Sequence, residues 1–271
     1  MTTAKTTPTV SQKFRTHWWG VFELDEGVIS CWEIGPLKLY VERGEALWRV
    51  GFWRSKDAME SAINYIREYT EEVDPATKWE RFTPTGDSQI SIELALADRP
   101  VVSLPVDAHF LAPKSAITFF IGSPLWIRLK DGEGNILKDT PIFPPKETWF
   151  GPLTYGGELC YASRTYCNTD LDNIPFYPHR AVTAVTIENN SALSFPLDKI
   201  KLPVNSLSAY VAEGHRIWTQ DCVYKIGGEG QMLHIKMKDK PPLKAPRTKH
   251  LCDARVPFNQ GMLISAITSL L

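Results

Sequence analysis

The residues best suited to chemistry lie in one aromatic, glycine-rich stretch, residues 148–164, TWFGPLTYGGELCYASR. Trp149, Phe150, Tyr155 and Tyr161 offer flat apolar faces, while Glu158 and Arg164 offer opposite charges. Gly151, Gly156 and Gly157 carry no Cβ, so backbone there can approach a ligand closely. Trp149, Tyr155, Glu158, Tyr161 and Arg164 are therefore the candidate ligand-binding residues. On a strand, Glu158 and Arg164 share a face but lie roughly 20 Å apart. They meet one ligand only where a hairpin or bulge intervenes. The plainer alternative is a Trp149 that plugs the core, with Glu158 and Arg164 solvated or paired to neighbours.

No motif assigns catalysis. Glu158 with Asp170 or Asp172 makes a carboxylate pair on paper, but a glycosidase needs two carboxyls about 5–9.5 Å apart across a cleft. There is no G-x-S-x-G elbow and no G-x-G-x-x-G after a strand. The histidines, His17, His109, His179, His215, His234 and His250, are scattered. The five cysteines include no CxxC and no zinc-like spacing. No catalytic residue, metal ligand or cofactor is assigned, and the chain leans away from being an enzyme.

The odd cysteine count predicts free thiols in a reducing compartment, although Cys160 and Cys167 could face each other across a hairpin. A net charge of −1 gives no phosphate-binding excess, which disfavours nucleic acid as a partner. The basic run Lys236, Lys238, Lys240, Lys244, Arg247 and Lys249 is interrupted by prolines and reads as a solvated linker. The polar, Thr-rich start lacks the apolar stretch of a secretory signal. No run approaches the roughly 20 apolar residues of a membrane span. The expectation is a cytoplasmic protein.

Short strands must carry these residues. Residues 20–24, 28–34, 37–41 and 46–53 read as a meander, with Leu37, Leu39 and Val41 on one face and Lys38 and Tyr40 on the other. One helix is predicted over residues 55–72, with Ser55 as N-cap and Ala58, Met59, Ala62, Ile63, Ile66 and Tyr69 at helical spacing. Ile90, Ile92, Leu94 and Leu96 alternate as a half-buried strand. Residues 116–121 and 125–130 read as strands broken at Gly122-Ser123-Pro124, and residues 140–157 as a structured loop. Turn signals every ~8–12 residues indicate an all-β fold with minor α content. The predicted architecture is one or more antiparallel β-sandwiches with an N-terminal meander and one inserted helix. The predicted segments are a flexible tail over 1–16, the meander with its helix over 17–84, one sandwich or two over 85–258, and an apolar segment over 259–271.

Three segments together carry a family resemblance: WWGVFEL with WEIGPLKLYVER, then DRPVVSLPVDAHFLAPKSAITFFIGSPLWIRL, then ETWFGPLTYGGELCYASRT. The chain resembles an uncharacterised prokaryotic family, the domain of unknown function numbered four hundred and thirty-two. The most recognisable positions are Pro124, Leu125, Trp126, Thr148, Trp149, Phe150, Gly151, Gly157, Glu158, Leu159, Cys160 and Tyr161. The resemblance implies a cytoplasmic β-rich module with no established activity, found alone or alongside small-conductance mechanosensitive channels. Any association with a membrane channel would be indirect, through a partner. The expected function is a non-enzymatic module that binds a small molecule or a protein, with regulation as a candidate role. The alternatives are a carbohydrate-active or other hydrolase, and a structural interaction subunit docking through the helix face or the C-terminal tail. The oligomeric state is left open.

Overall fold

Alternating apolar residues, punctuated by Gly, Pro and Asp, favour short strands over helices. The computed structural model describes residues 17–86, 88–152, 157–163, 167–227, 233–238, 240, 242–245 and 247–258. Among the described residues it is nearly all β, with 52% of them in strands, and no helix reaches seven residues. Among the described residues no helix is long and apolar enough to cross a membrane. The chain divides into two compact units, Met1–Glu93 with Arg128–Asp139, and Leu94–Ile127 with Thr140–Leu271.

The first unit is built on β1 (Gly20–Glu23), β2 (Ile29–Ile34), β3 (Leu37–Arg43), β4 (Trp48–Arg54), β5 (Ile63–Ile66), β6 (Lys78–Phe82) and the start of β7 (Gln89–Leu96). Five of these form an antiparallel sheet in the order β5-β2-β3-β4-β6. Strand β1 pairs with β7 from Gly20↔Ile92 to Glu23↔Gln89. Period two then sorts the side chains. Trp32, Leu39, Val41 and Val50 share the inner face of the sheet and are buried, and Phe22 of β1 meets Trp32 edge-on at 5.1 Å. Cys31, Lys38, Tyr40 and Trp53 take the outer face.

The chain continues with β8 (Val101–Ser103), β9 (His109–Leu111), β10 (Ala116–Lys130), β11 (Ile136–Pro141), β12 (Lys146–Phe150), β13 (Glu158–Ser163), β14 (Cys167–Asn168) and β15 (Arg180–Asn189). It closes with β16 (Phe195–Leu197), β17 (Ile200–Leu202), β18 (Ala209–Val211), β19 (Ile217–Thr219), β20 (Cys222–Ile226), β21 (Leu233–Met237) and β22 (Lys249–Cys252). In the second unit the largest sheet runs β10-β15-β19-β18-β22, with β14 on β10 and the β20–β21 pair on β15. A separate four-stranded sheet has the order β12-β13-β8-β17, and β9 pairs with β16. Phe119, Ile121, Val185, Ile187 and Tyr224 fill the core of this unit.

The helix expected over residues 55–72 is not formed. Ser55 and Asp57 turn their oxygens onto nearby backbone, accepting from Asp57 N–H and Met59 N–H at 3.1 and 2.8 Å. Such local bonds compete with helix formation. Residues 63–66 instead pair with β2, seating Tyr65 opposite Trp32 and Ile66 opposite Cys31. Burial of these aromatic and β-branched residues against a sheet outweighs helical spacing.

The break expected at Gly122-Ser123-Pro124 is also absent, because β10 runs through all three residues. Pro124 lies opposite Arg180, the first residue of β15, so its missing N–H falls at the end of that ladder. Within the expected loop 140–157, residues 146–150 form strand β12, held by β13.

Candidate functional site

The outer face of the five-stranded sheet carries a cleft of about 400 Å³, lined by Lys38, Tyr40, Trp53, Tyr69, Val73 and the acidic segment from Glu71 to Pro75. That volume lies within the usual range of small-molecule sites. Strand pairing makes the floor. Lys38 stands opposite Trp53, and Tyr40 stands opposite Gly51, which in turn faces Trp79. Gly51 is required there: a Cβ would lie 2.9 Å from Thr77 Cγ2 and 3.0 Å from the Trp79 ring. With no Cβ in the way, Trp79 lies over the strand with its ring centroid 6.2 Å from that of Tyr40.

The wall is the chain following β5. Tyr69 N–H donates to Ile29 O at 2.7 Å, and its ring meets Tyr40 at 5.2 Å. Further on, Ala76 N–H and Thr77 N–H donate to the side chain and backbone of Asp74, at 2.8 and 2.9 Å. The segment carrying Glu71, Glu72 and Asp74 is thereby tied to β2 at Tyr69 and closed by a local turn at Asp74, while those three carboxylates are exposed.

The electrostatics of the cleft follow from burial. Burial, then a hydrogen bond with Tyr69, pushes the Tyr40 phenol well above its ordinary value. Burial also raises Tyr69, whose hydroxyl lies 3.5 Å from Glu71 Oε2. Both phenols are neutral at physiological pH. Burial works to lower the Lys38 ammonium, but the hydrogen bond and charge of Glu33, 3.0 Å away, outweigh it and leave it raised. Beneath the floor, burial pushes the Cys31 thiol up to about 12, so it is no nucleophile near neutral pH. The cleft can hold a ligand against aromatic faces. Among the described residues no group of three or more His, Cys, Asp or Glu side chains could hold a metal ion.

The stretch singled out by sequence forms the β12–β13 hairpin of the second unit, in register Trp149↔Leu159 and Phe150↔Glu158. Trp149, Leu159 and Tyr161 therefore share one face and Glu158 takes the other. Trp149 is 47% exposed and does not plug a core, and Leu159 beside it is 40% exposed. The indole N–H of Trp149 donates to Pro152 O at 3.2 Å. Its ring lies against Gly157, where a Cβ would come within 2.5 Å of Trp149 Nε1 and 2.4 Å of Pro152 O.

Glu158 is held by Lys201, whose side chain is only 5% exposed. Tyr161 is buried, donates to Asp98 Oδ1 at 2.9 Å, and is pushed up to about 12 by burial and that bond. Tyr155 and Arg164 lie outside the described residues. The structure thus brings Trp149 and Tyr161 to one face and separates Glu158 from both.

Other features resolve simply. Glu147 pairs with Arg99 at 2.7 Å on the face opposite Glu158, so the hairpin has no facing carboxylate pair. In the basic run, Lys238 pairs with Asp221 and Arg247 with Glu213. An indentation beside Phe176, Arg180 and Arg216 holds about 10 Å³, room for no more than a water. All five cysteines are free. Cys160 is in β13 and Cys167 in β14, in different sheets.

The cleft residues Trp53, Tyr69, Glu71 and Glu72 were missed by sequence reasoning. A signal was present in the parity of β3 and β4, which places Tyr40 and Trp53 on the face opposite the apolar stripe. The helix expected over 55–72 hid the wall.

The family model described as "Protein of unknown function (DUF432)" matches residues 18–269, and the chain belongs to this family. No curated protein and no solved structure matches the chain.

Proposed function

We propose that this protein is a non-enzymatic, cytoplasmic binding module whose ligand sits in the cleft formed by Tyr40, Trp53 and Tyr69. The observation that carries this reading is the concavity itself: a recess of about 400 Å³ lined by the partly exposed rings of Trp53 and Tyr69 above a buried Tyr40, with its wall tied to β2 by the Tyr69 N–H. A wall held in place before binding reduces the ordering cost of association. Five free cysteines support a reducing compartment. The ring contact of Phe22 with Trp32 in the first unit supports reading that unit as two packed β layers, the unit of a sandwich. The hydrolase alternative draws no support from the hairpin's own carboxylates, because Glu147 and Glu158 are each ion-paired and face opposite ways. Screening a fragment library by thermal shift against wild type and Trp53→Ala tests the reading. Hits should stabilise wild type and be lost on the variant; hits that all survive Trp53→Ala would sink it.

A second reading is favoured by the exposed Trp149–Leu159 pair. Side by side on a hairpin, these residues suit the core of a protein–protein contact. Its mark is a partner, with a membrane-channel subunit among the classes to try, whose binding is lost on Trp149→Ala with the fold intact. Unchanged binding would remove the hairpin from consideration.

A further inference from the structure

We infer that the ligand of the cleft is an organic cation bearing an alkylated ammonium group. This rests on the cleft being the ligand site and goes on to name the ligand's chemistry. Trp53 and Tyr69 line the cleft partly exposed, with Tyr40 buried beneath them, and the negative quadrupoles of such rings attract diffuse cations such as quaternary ammonium groups. The lip adds Glu71, Glu72 and Asp74, all exposed, against a single ammonium, Lys38. That ammonium is already tied to Glu33 at 3.0 Å, so it offers little to an anionic ligand. Three carboxylates over an aromatic recess focus a negative potential into it. A divalent metal does not answer that potential, because these carboxylates do not converge into a metal-holding group. A cation too diffuse to need close carboxylate ligation does, and the recess has space for the rest of a small organic molecule.

The test compares choline with its neutral carbon isostere, 3,3-dimethyl-1-butanol, and with glucose. Each is titrated while the Trp53 indole N–H resonance is followed by NMR. Choline should shift that resonance, the isostere should bind at least tenfold more weakly, and glucose should leave it in place. The triple variant E71Q/E72Q/D74N should bind choline about tenfold more weakly while melting normally, since the amide replacing the Asp74 carboxylate keeps an oxygen to accept from Ala76 N–H. Equal binding of choline and the isostere, or an unchanged triple variant, overturns the cationic assignment. So does binding of glucose alone, though each of these results leaves the cleft standing as a site if Trp53→Ala abolishes that binding in a thermal-shift assay, which does not depend on the Trp53 resonance. No shift from choline overturns the inference, whereas the reading beneath it falls only if the fragment hits also survive Trp53→Ala.

Discussion

Replacing Asp131 by alanine removes the acceptor around which the turn after β10 is folded. Asp131 is 4% exposed. One oxygen accepts from Thr85 N–H, Thr85 Oγ1 and Asn135 Nδ2 at 3.0, 2.8 and 3.1 Å, and the other from Glu133 N–H and Asn135 N–H at 3.2 and 2.8 Å. A hydrogen bond to a charged group contributes roughly 1.5–3 kcal/mol. Thr85, Glu133 and Asn135 are exposed, so water can reach part of the orphaned donor set. The expected loss is therefore about 3 kcal/mol rather than the sum. At roughly 2–4 °C per kcal/mol for a chain of this size, the melting temperature should fall by about 6–12 °C.

The loss also has a predicted pH dependence. Burial alone would raise this carboxyl, but the bonds from Thr85 and Asn135 outweigh burial and hold it well below the carboxylate range. A depressed folded value means the stabilisation is complete above the unfolded pKa of about 3.9 and fades as pH falls below it. Urea unfolding of both proteins from pH 8 to pH 3 measures this. The gap between them should be level above about pH 5 and should narrow below about pH 4. A loss under about 0.5 kcal/mol, or a gap that widens in acid, refutes the reasoning.

Gly157→Ala should destabilise the protein by about 1–3 kcal/mol and red-shift its tryptophan emission, because the new methyl overlaps the Trp149 ring and Pro152 O; an unchanged spectrum and melt would contradict this. Glu158→Gln should cost about 2 kcal/mol in urea unfolding, less than a fully buried pair because the Glu158 side chain is 40% exposed. Adding Lys201→Met should recover most of that loss, since no buried ammonium then lacks its partner; a double variant worse than the single one would count against it. Burial pushes Cys31, Cys160 and Cys167 up to about 12 and also raises Cys222. With Ellman's reagent at pH 8, only the partly exposed Cys252 should react quickly in the native protein. Two or more fast thiols would show that the buried positions open readily.

The β character was legible because period two survives folding. Ile90, Ile92, Leu94 and Leu96 alternate in sequence and are all buried. The helix expected over 55–72 shows the limit of spacing alone. Ile63, Ile66 and Tyr69 fit a helical stripe, yet Ile63–Ile66 is a strand because β2 offers Trp32 and Cys31 to pair against. The run through Pro124 was hidden for a related reason: tolerance of a proline depends on where the neighbouring strand begins.

At the candidate hairpin, the opposite facing of Glu158 and Tyr161 follows from parity within one strand. The facing of Trp149 was not legible, since it depends on the register in which β12 pairs with β13. Nor could spacing show that Lys201, forty-three positions from Glu158, would reach its carboxylate. The cleft was half legible: its floor lies in the alternation of β3 and β4, and its wall depends on how the chain returns after β5.

The central claim is that the cleft, and no other surface, receives the ligand. The nine tryptophans give nine indole N–H resonances, and Trp53 and Trp149 report on the two competing surfaces. Mapping indole shifts with a mixed fragment library in ¹⁵N-tryptophan-labelled protein measures both in one experiment. The Trp53 resonance should move for the binding fragments while Trp149 stays in place. Shifts concentrated at Trp149 with Trp53 unmoved would contradict it.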